Sequence, residues 1–242
     1  MAEPAAANAE IVGPKLARLA ELRRAGFQVP TGCAVTVDAY LHFVRETRLD
    51  TAIAAELAAI GDGSDFDRLE TASSRIRERF AAQPLPEAMR ACFERAYDAL
   101  CFEVREVDKP VAVRSSAVGE DAADHSFAGQ YETFLGVSGL DAVDDSIRRA
   151  WSSLFSARAI GYRAQSGLGA AAMPMAVGVL ELVRARAAGV AFSVHPLTGR
   201  RDRVVVEGSW GYGEAVVGGL VVPDHAELDK DGFELLDYRI AD

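Results

Sequence analysis

The apolar residues of this chain change their spacing along its length, and that change narrows the folds open to it. Up to about residue 109 they recur every three or four positions. Leu16, Leu19 and Leu22 share one face of a helix that should start near Pro14, a residue suited to the first helical position. Gly26 stops that helix, and a turn through residues 29–32 leads into a short strand near Ala34 and Val35. Helices follow over about 37–47 and 52–60, then two stripes: Leu69, Ala72, Ile76, Phe80, and Met89, Cys92, Phe93, Ala96, Leu100. From residue 110 short β runs take over, at 110–114 and near 131–137. Two helices come next, with Ile147, Trp151 and Leu154 facing inward. Strands are expected at 176–183, 190–194 and 204–207, and two more beyond Pro223. The fold class is therefore α+β. Residues 1–109 form a mainly helical part that includes Lys15, and residues 110–242 a sheet-rich part. The alanine-rich residues 1–10 read as frayed.

One stretch of the second part concentrates polar chemistry. The apolar run 111–113 delivers Arg114, Ser115 and Ser116 into a loop carrying Gly119, Glu120, Asp121, Ser126, Gly129 and, beyond it, Thr133. A guanidinium matches phosphate oxygens in a planar fork, and loop N–H groups can converge on an anion. Two readings fit these residues alone: a polyphosphate cradle, or an ordinary strand and surface loop with Arg114 in an ion pair. Lys15 is open in the same way. It sits at a helix start, where N–H groups favour an anion, or it is a solvated lysine.

The polar stretch, VAVRSSAVGEDAADHSFAGQYETFLGV, closely resembles the nucleotide-binding segment of the pyruvate phosphate dikinase, phosphoenolpyruvate synthase and rifampin phosphotransferase family, with its pattern VRSS…EDS…SFAGQ…T. The resemblance continues in register. VGPKLARLAELRRAGFQVPTGCAVT resembles the family's GGK block, and WSSLFSARAIGYR its W.S.FS.RA..YR helix. GVAFSVHPLTGRRDRVVVEGSWGYGEAVVGGLVVPD resembles its GV.FT.DP.TG…GLGE…PD block. The resemblance implies an incomplete ATP-grasp-like nucleotide-binding domain that takes ATP with Mg²⁺. It assigns Lys15 and Arg114 to phosphate contacts, and Gly129 and Thr133 to the nucleotide loop. Gly129 would allow close backbone approach and Thr133 would offer a hydroxyl. Leu180 falls where the family carries a glutamine that holds the adenine edge, so the base would rest on packing and main-chain groups. His195 replaces the family's Asp or Asn before proline, and Gly13-Pro14-Lys15 replaces GGK. Glu120 and Asp121 either orient Arg114 or a magnesium-bound water, or form a solvated loop edge. His125 reads as a solvated loop histidine, and Glu214 as a helix cap more than a cleft residue.

The formal charge of −10 argues against a general nucleic-acid or anionic-membrane binder. Cys33, Cys92 and Cys101 lack metal-ligand spacing and read as small buried hydrophobes in a reducing compartment. Without an apolar run near about 18 residues, a cytoplasmic location is expected. The family's third clamp segment, its phosphohistidine domain and its pyruvate-binding barrel have no counterpart in these residues. The resemblance thus implies an ATP-binding subunit or fragment of a dikinase-type phosphotransferase, with other chains completing the clamp and passing phosphate through histidine to pyruvate or another acceptor. Phenylphosphate synthase is a family member divided in that manner. The alternative is a degenerate, non-catalytic nucleotide-binding or protein-interaction module. No measurable phosphotransfer by this chain alone is expected, because the carboxylates that hold Mg²⁺ supply much of the charge neutralisation.

Overall fold

The computed structural model describes residues 4–61, 63–118, 131–166 and 173–241. The fold is α+β, with helices and two antiparallel sheets. The chain forms two compact units, Met1–Leu182 and Val183–Asp242. This differs from the division at 109/110 read from the sequence. The reason is β1 (Gly32–Val35): although it lies in the helical part, it pairs with β4 (Met175–Glu181) and joins a sheet formed by later strands.

In the first unit the strand order is β1-β4-β2-β3, with β2 spanning Val111–Ala117 and β3 Thr133–Val137. One face of this sheet carries the main core. Val111, Val113 and Ala117 of β2 and Met175, Val177 and Val179 of β4 pack there against helices α2 (Val37–Glu46), α3 (Leu49–Ala59), α4 (Phe66–Ala82), α5 (Glu87–Val104), α6 (Leu140–Ser152) and α7 (Ala157–Gln165). Aromatic rings fill its centre: Phe43 stacks on Trp151 at 5.1 Å between centroids, and Phe80 lies 5.6 Å from Phe155. Side-chain oxygens of Thr36, Asp65 and Ser156 accept backbone N–H groups at the starts of α2, α4 and α7.

The stripe Leu69, Ala72, Ile76 and Phe80 is buried as its spacing predicts, as are Ile147, Trp151 and Leu154. The α5 stripe is corrected in part. Met89 and Leu100 are buried, but Cys92 is exposed and Tyr97 takes the inward position. The Tyr97 hydroxyl donates to Lys109 O (3.0 Å) and accepts from Gly139 N–H (3.1 Å), tying α5 to both ends of the β2–β3 hairpin. The three cysteines are free, and burial pushes the Cys33 thiol up to about 11.

The other face of the sheet carries α1 (Ala9–Arg24). The sequence reads residues 1–10 as frayed and places the helix start near Pro14. Instead α1 begins at Ala9, where the Asn8 side chain accepts from Glu10 N–H, and it breaks at Gly13 before resuming at Pro14. Val12, Leu16 and Ala17 of α1 pack on Leu180, whereas Leu22 is exposed. The second unit is an antiparallel meander of β5 (Ala187–Phe192), β6 (Arg203–Trp210), β7 (Asp224–Asp229) and β8 (Leu235–Arg239), with the short helix α8 (Glu214–Val217) between β6 and β7. No helix among the described residues is long and apolar enough to cross a membrane.

Candidate functional site

The site is built where the second segment of α1 meets β2. Gly13 has φ 73°, a conformation that side chains disfavour, and it lies directly against Ser116. A Cβ at Gly13 would stand 2.1 Å from Ser116 O and 2.2 Å from Ser116 Oγ. Pro14 then opens a new helical run, and Leu16 N–H donates to Ser116 Oγ at 3.4 Å. A strand serine therefore satisfies one of the donors that a helix start leaves unpaired. Lys15 stands between Pro14 and Leu16 and is half-buried.

Alternation along β2 puts Ala112, Arg114 and Ser116 on this same face. Six of the seven β2 residues are buried, and Arg114 is the exposed one. It pairs in register with Thr133 on β3 and with Gly178 on β4. Gly178 is a glycine for a packing reason: a Cβ there would come within 2.5 Å of the Leu16 side chain. α1 thus seats closely on β4 beside Arg114. Arg114 and the exposed Thr133 lie directly opposite each other, and Lys15 enters beside Ser116, two residues further along β2. One face of the sheet therefore carries Arg114, Ser116 and Thr133, and Lys15 belongs to the α1 turn whose Leu16 N–H meets Ser116. Leu180 is on that face as well, but it is 3% exposed beneath α1 and packs on Val12, Leu16 and Ala17. Gly129 lies outside the described residues, with Gly119, Glu120, Asp121, His125 and Ser126.

Two supporting features escape a reading of the sequence. Ser116 acts across the fold, and only the second serine of the RSS run marks it. Behind β3, the fully buried Arg163 of α7 donates to Leu154 O at 2.6 Å. Burial pulls its pKa below the usual guanidinium value, opposed by the electrostatic influence of the hydroxyl of neighbouring Tyr131, which precedes Thr133 by two residues. A cation is thereby held inside the protein beside Tyr131.

In the second unit the departure at His195 has a physical account. His195 Nδ1 accepts from the N–H groups of Leu197 and Thr198 at 3.2 and 3.3 Å, as an Asp or Asn oxygen does in such turns. Glu214 is the first residue of α8, where a carboxylate suits a helix start.

Residues 9–242 match the family model described as pyruvate phosphate dikinase, AMP/ATP-binding domain. A probable phosphoenolpyruvate synthase of Methanothermobacter thermautotrophicus is 42% identical over 96% of this chain, which spans 34% of that protein. A phosphoenolpyruvate synthase of Aeropyrum pernix is 41% identical over 96% of the chain and 28% of its own length. One from Helicobacter pylori is 37% identical over 94% of the chain and 29% of its own length. The chain therefore covers about a third, or less, of these relatives, and it belongs to the pyruvate phosphate dikinase AMP/ATP-binding domain family.

Proposed function

We propose that Lys15, Arg114 and Thr133 together grip the phosphates of ATP, as the nucleotide-binding part of a phosphoenolpyruvate synthase-type phosphotransferase. The observation that carries this reading is the exposure of Arg114, the one exposed residue of a strand otherwise buried, directly opposite Thr133 and its hydroxyl. A guanidinium there takes two phosphate oxygens in a fork, an ammonium at position 15 adds a point charge, and the start of the second α1 segment favours the same anion. Mg²⁺ suits such a site because the phosphates themselves supply oxygens to it, and Thr133 Oγ is an oxygen donor on this face. The transfer of phosphate to histidine and onward to pyruvate or another acceptor takes place on sequence outside this chain.

Calorimetric titration with ATP and Mg²⁺ tests the reading. Binding at about 1 μM or weaker is expected, and Arg114→Ala should abolish it. Because Arg114 is exposed, that variant should keep the wild-type Tm. Equal affinity of the variant and the wild type sinks the proposal. One observation favours a second reading, a non-catalytic nucleotide-binding or interaction module. Leu180, which stands where the family pattern that the sequence resembles carries a glutamine, offers no side-chain hydrogen bond and is packed under α1. Mixing the chain with the products of neighbouring genes and following labelled β- and γ-phosphate separates the two. Transfer to histidine supports the enzyme, and binding without transfer supports the module.

A further inference from the structure

The second unit holds a cluster that the nucleotide reading does not use. Glu227 on β7 and Asp237 on β8 are directly opposed across the two strands, and His225 lies two residues before Glu227 on the same face. One ligand atom from each of His225, Glu227 and Asp237 lies within 4.8 Å of the others. Two carboxylates facing each other across a ladder repel unless a cation joins them. Arg203 takes one oxygen of Glu227 at 2.5 Å, and Arg239 Nε lies 3.1 Å from Asp237 Oδ2. Glu227 Oε1 instead faces His195 Nε2 at 3.4 Å and His225 Nε2 at 3.6 Å.

The two imidazoles are not equivalent. His195 Nδ1 accepts two backbone N–H groups, so in the neutral ring the hydrogen is on Nε2, pointing at Glu227. His195 is therefore a donor that orients Glu227 and has no lone pair left for a metal. His225 has the opposite arrangement. Its Nδ1 lies 3.5 Å from Glu207 Oε1 on β6, while its Nε2 is shut off from solvent and makes no hydrogen bond. A carboxylate behind one ring nitrogen and a bare second nitrogen aimed at two carboxylates is the arrangement of a metal-ligating histidine.

We infer that His225 Nε2, Glu227 Oε1 and the Asp237 carboxylate form a site for a borderline divalent cation such as Zn²⁺, with Glu207 orienting the imidazole and water completing the coordination. Ligands about 2.0 Å from a tetrahedral Zn²⁺ stand roughly 3.3 Å apart, so the three groups need close by only a small side-chain rotation. Nitrogen with two carboxylates suits Zn²⁺ or Co²⁺ better than Mg²⁺, which prefers an all-oxygen octahedron. The bound ion would tie β7 to β8. It is independent of the phosphate-facing residues of the first unit.

The test is calorimetric titration of the full chain with ZnCl₂ in metal-free buffer without nucleotide, paired with the shift in Tm that Zn²⁺ produces. One saturable ion per chain and a raised Tm are expected, with no competition from Mg²⁺. His225→Gln should lose that binding event. Glu207→Gln should weaken it roughly 10–100-fold, the usual effect of removing a group behind a ligating histidine. Asp237 is exposed, so Asp237→Asn should fold normally and still bind Zn²⁺ more weakly; it decides the matter if His225→Gln is unfolded. Other takers of Zn²⁺ are the free cysteines and the His42–Glu46 pair at 2.8 Å. Cys→Ser and His42→Gln variants should bind as the wild type does. Wild-type affinity in Asp237→Asn, or loss of the event in the cysteine or His42 variants, overturns the inference.

Discussion

Gly13 and Asp144 show how much single positions are asked to do here. Any side chain at 13 must adopt φ 73° and also displace the Ser116 backbone, so Gly13→Ala should cost at least about 1–3 kcal/mol. Chemical denaturation measures this cost, and a neutral result would mean that α1 does not approach β2 so closely. Asp144 in α6 is buried, with Arg90 Nε 3.4 Å from one oxygen and no partner for the other. Burial pushes its pKa up to about 6 from an ordinary 3.8, with Arg90 opposing the rise. The folded protein therefore binds the extra proton between those values. The associated stability is complete below pH of about 4 and is lost as pH rises through about 6, with a slope of at most about 1.4 kcal/mol per pH unit. Asp144→Asn should flatten the stability profile across that window. An unchanged profile would assign the titration to another group. Lys15, Arg114 and Thr133 stand out in the sequence as candidates because charge and hydroxyl chemistry belong to the residue itself. Ser116 and Arg163 were not, since their work is done on partners distant in sequence: Leu16 for one, Leu154 and Tyr131 for the other.

Helix stripes and strand runs were the most readable features, for a physical reason. Leu69, Ala72, Ile76 and Phe80 each meet the core because the helical repeat alone puts them on one side. The α1 start was misplaced because Asn8 caps an earlier turn and Gly13 then interrupts the helix, a break that periodicity does not register. β2 was read short, ending at Arg114, since its last residues are small and polar; Ser115 and Ser116 are nevertheless buried in the ladder with β4. The seating of α1 on the sheet rests on few side chains, so Leu16→Ala should cost about 2–5 kcal/mol. ATP titration of that variant, folded at low temperature, should show weakened binding, because the lysine-bearing turn loses its register on β2. Full affinity in Leu16→Ala would remove α1 packing from the account of the site.

The molecule contains two tryptophans, and they report on different units. Trp151 is fully buried in the first unit, and Trp210 is 74% exposed in the second. Nearly all the buried apolar side chains among the described residues belong to the first unit, with Val205 buried in the second. A small core of that kind gives marginal stability. In denaturant, fluorescence of Trp151→Phe should therefore change at a lower concentration than fluorescence of Trp210→Phe. Coincident transitions would show a single cooperative block. The α+β class could be read from the change in apolar spacing, whereas the unit boundary could not. Its position depends on β1 crossing to β4, a pairing between segments that share no local signal.

The bond from Leu16 N–H to Ser116 Oγ joins positions 100 residues apart. Closing so long a loop is slow relative to forming either segment alone, so the turn bearing the front lysine acquires its partner late in folding. Ligand capture at that face would then mark chains that have finished maturing and leave half-made intermediates uncounted.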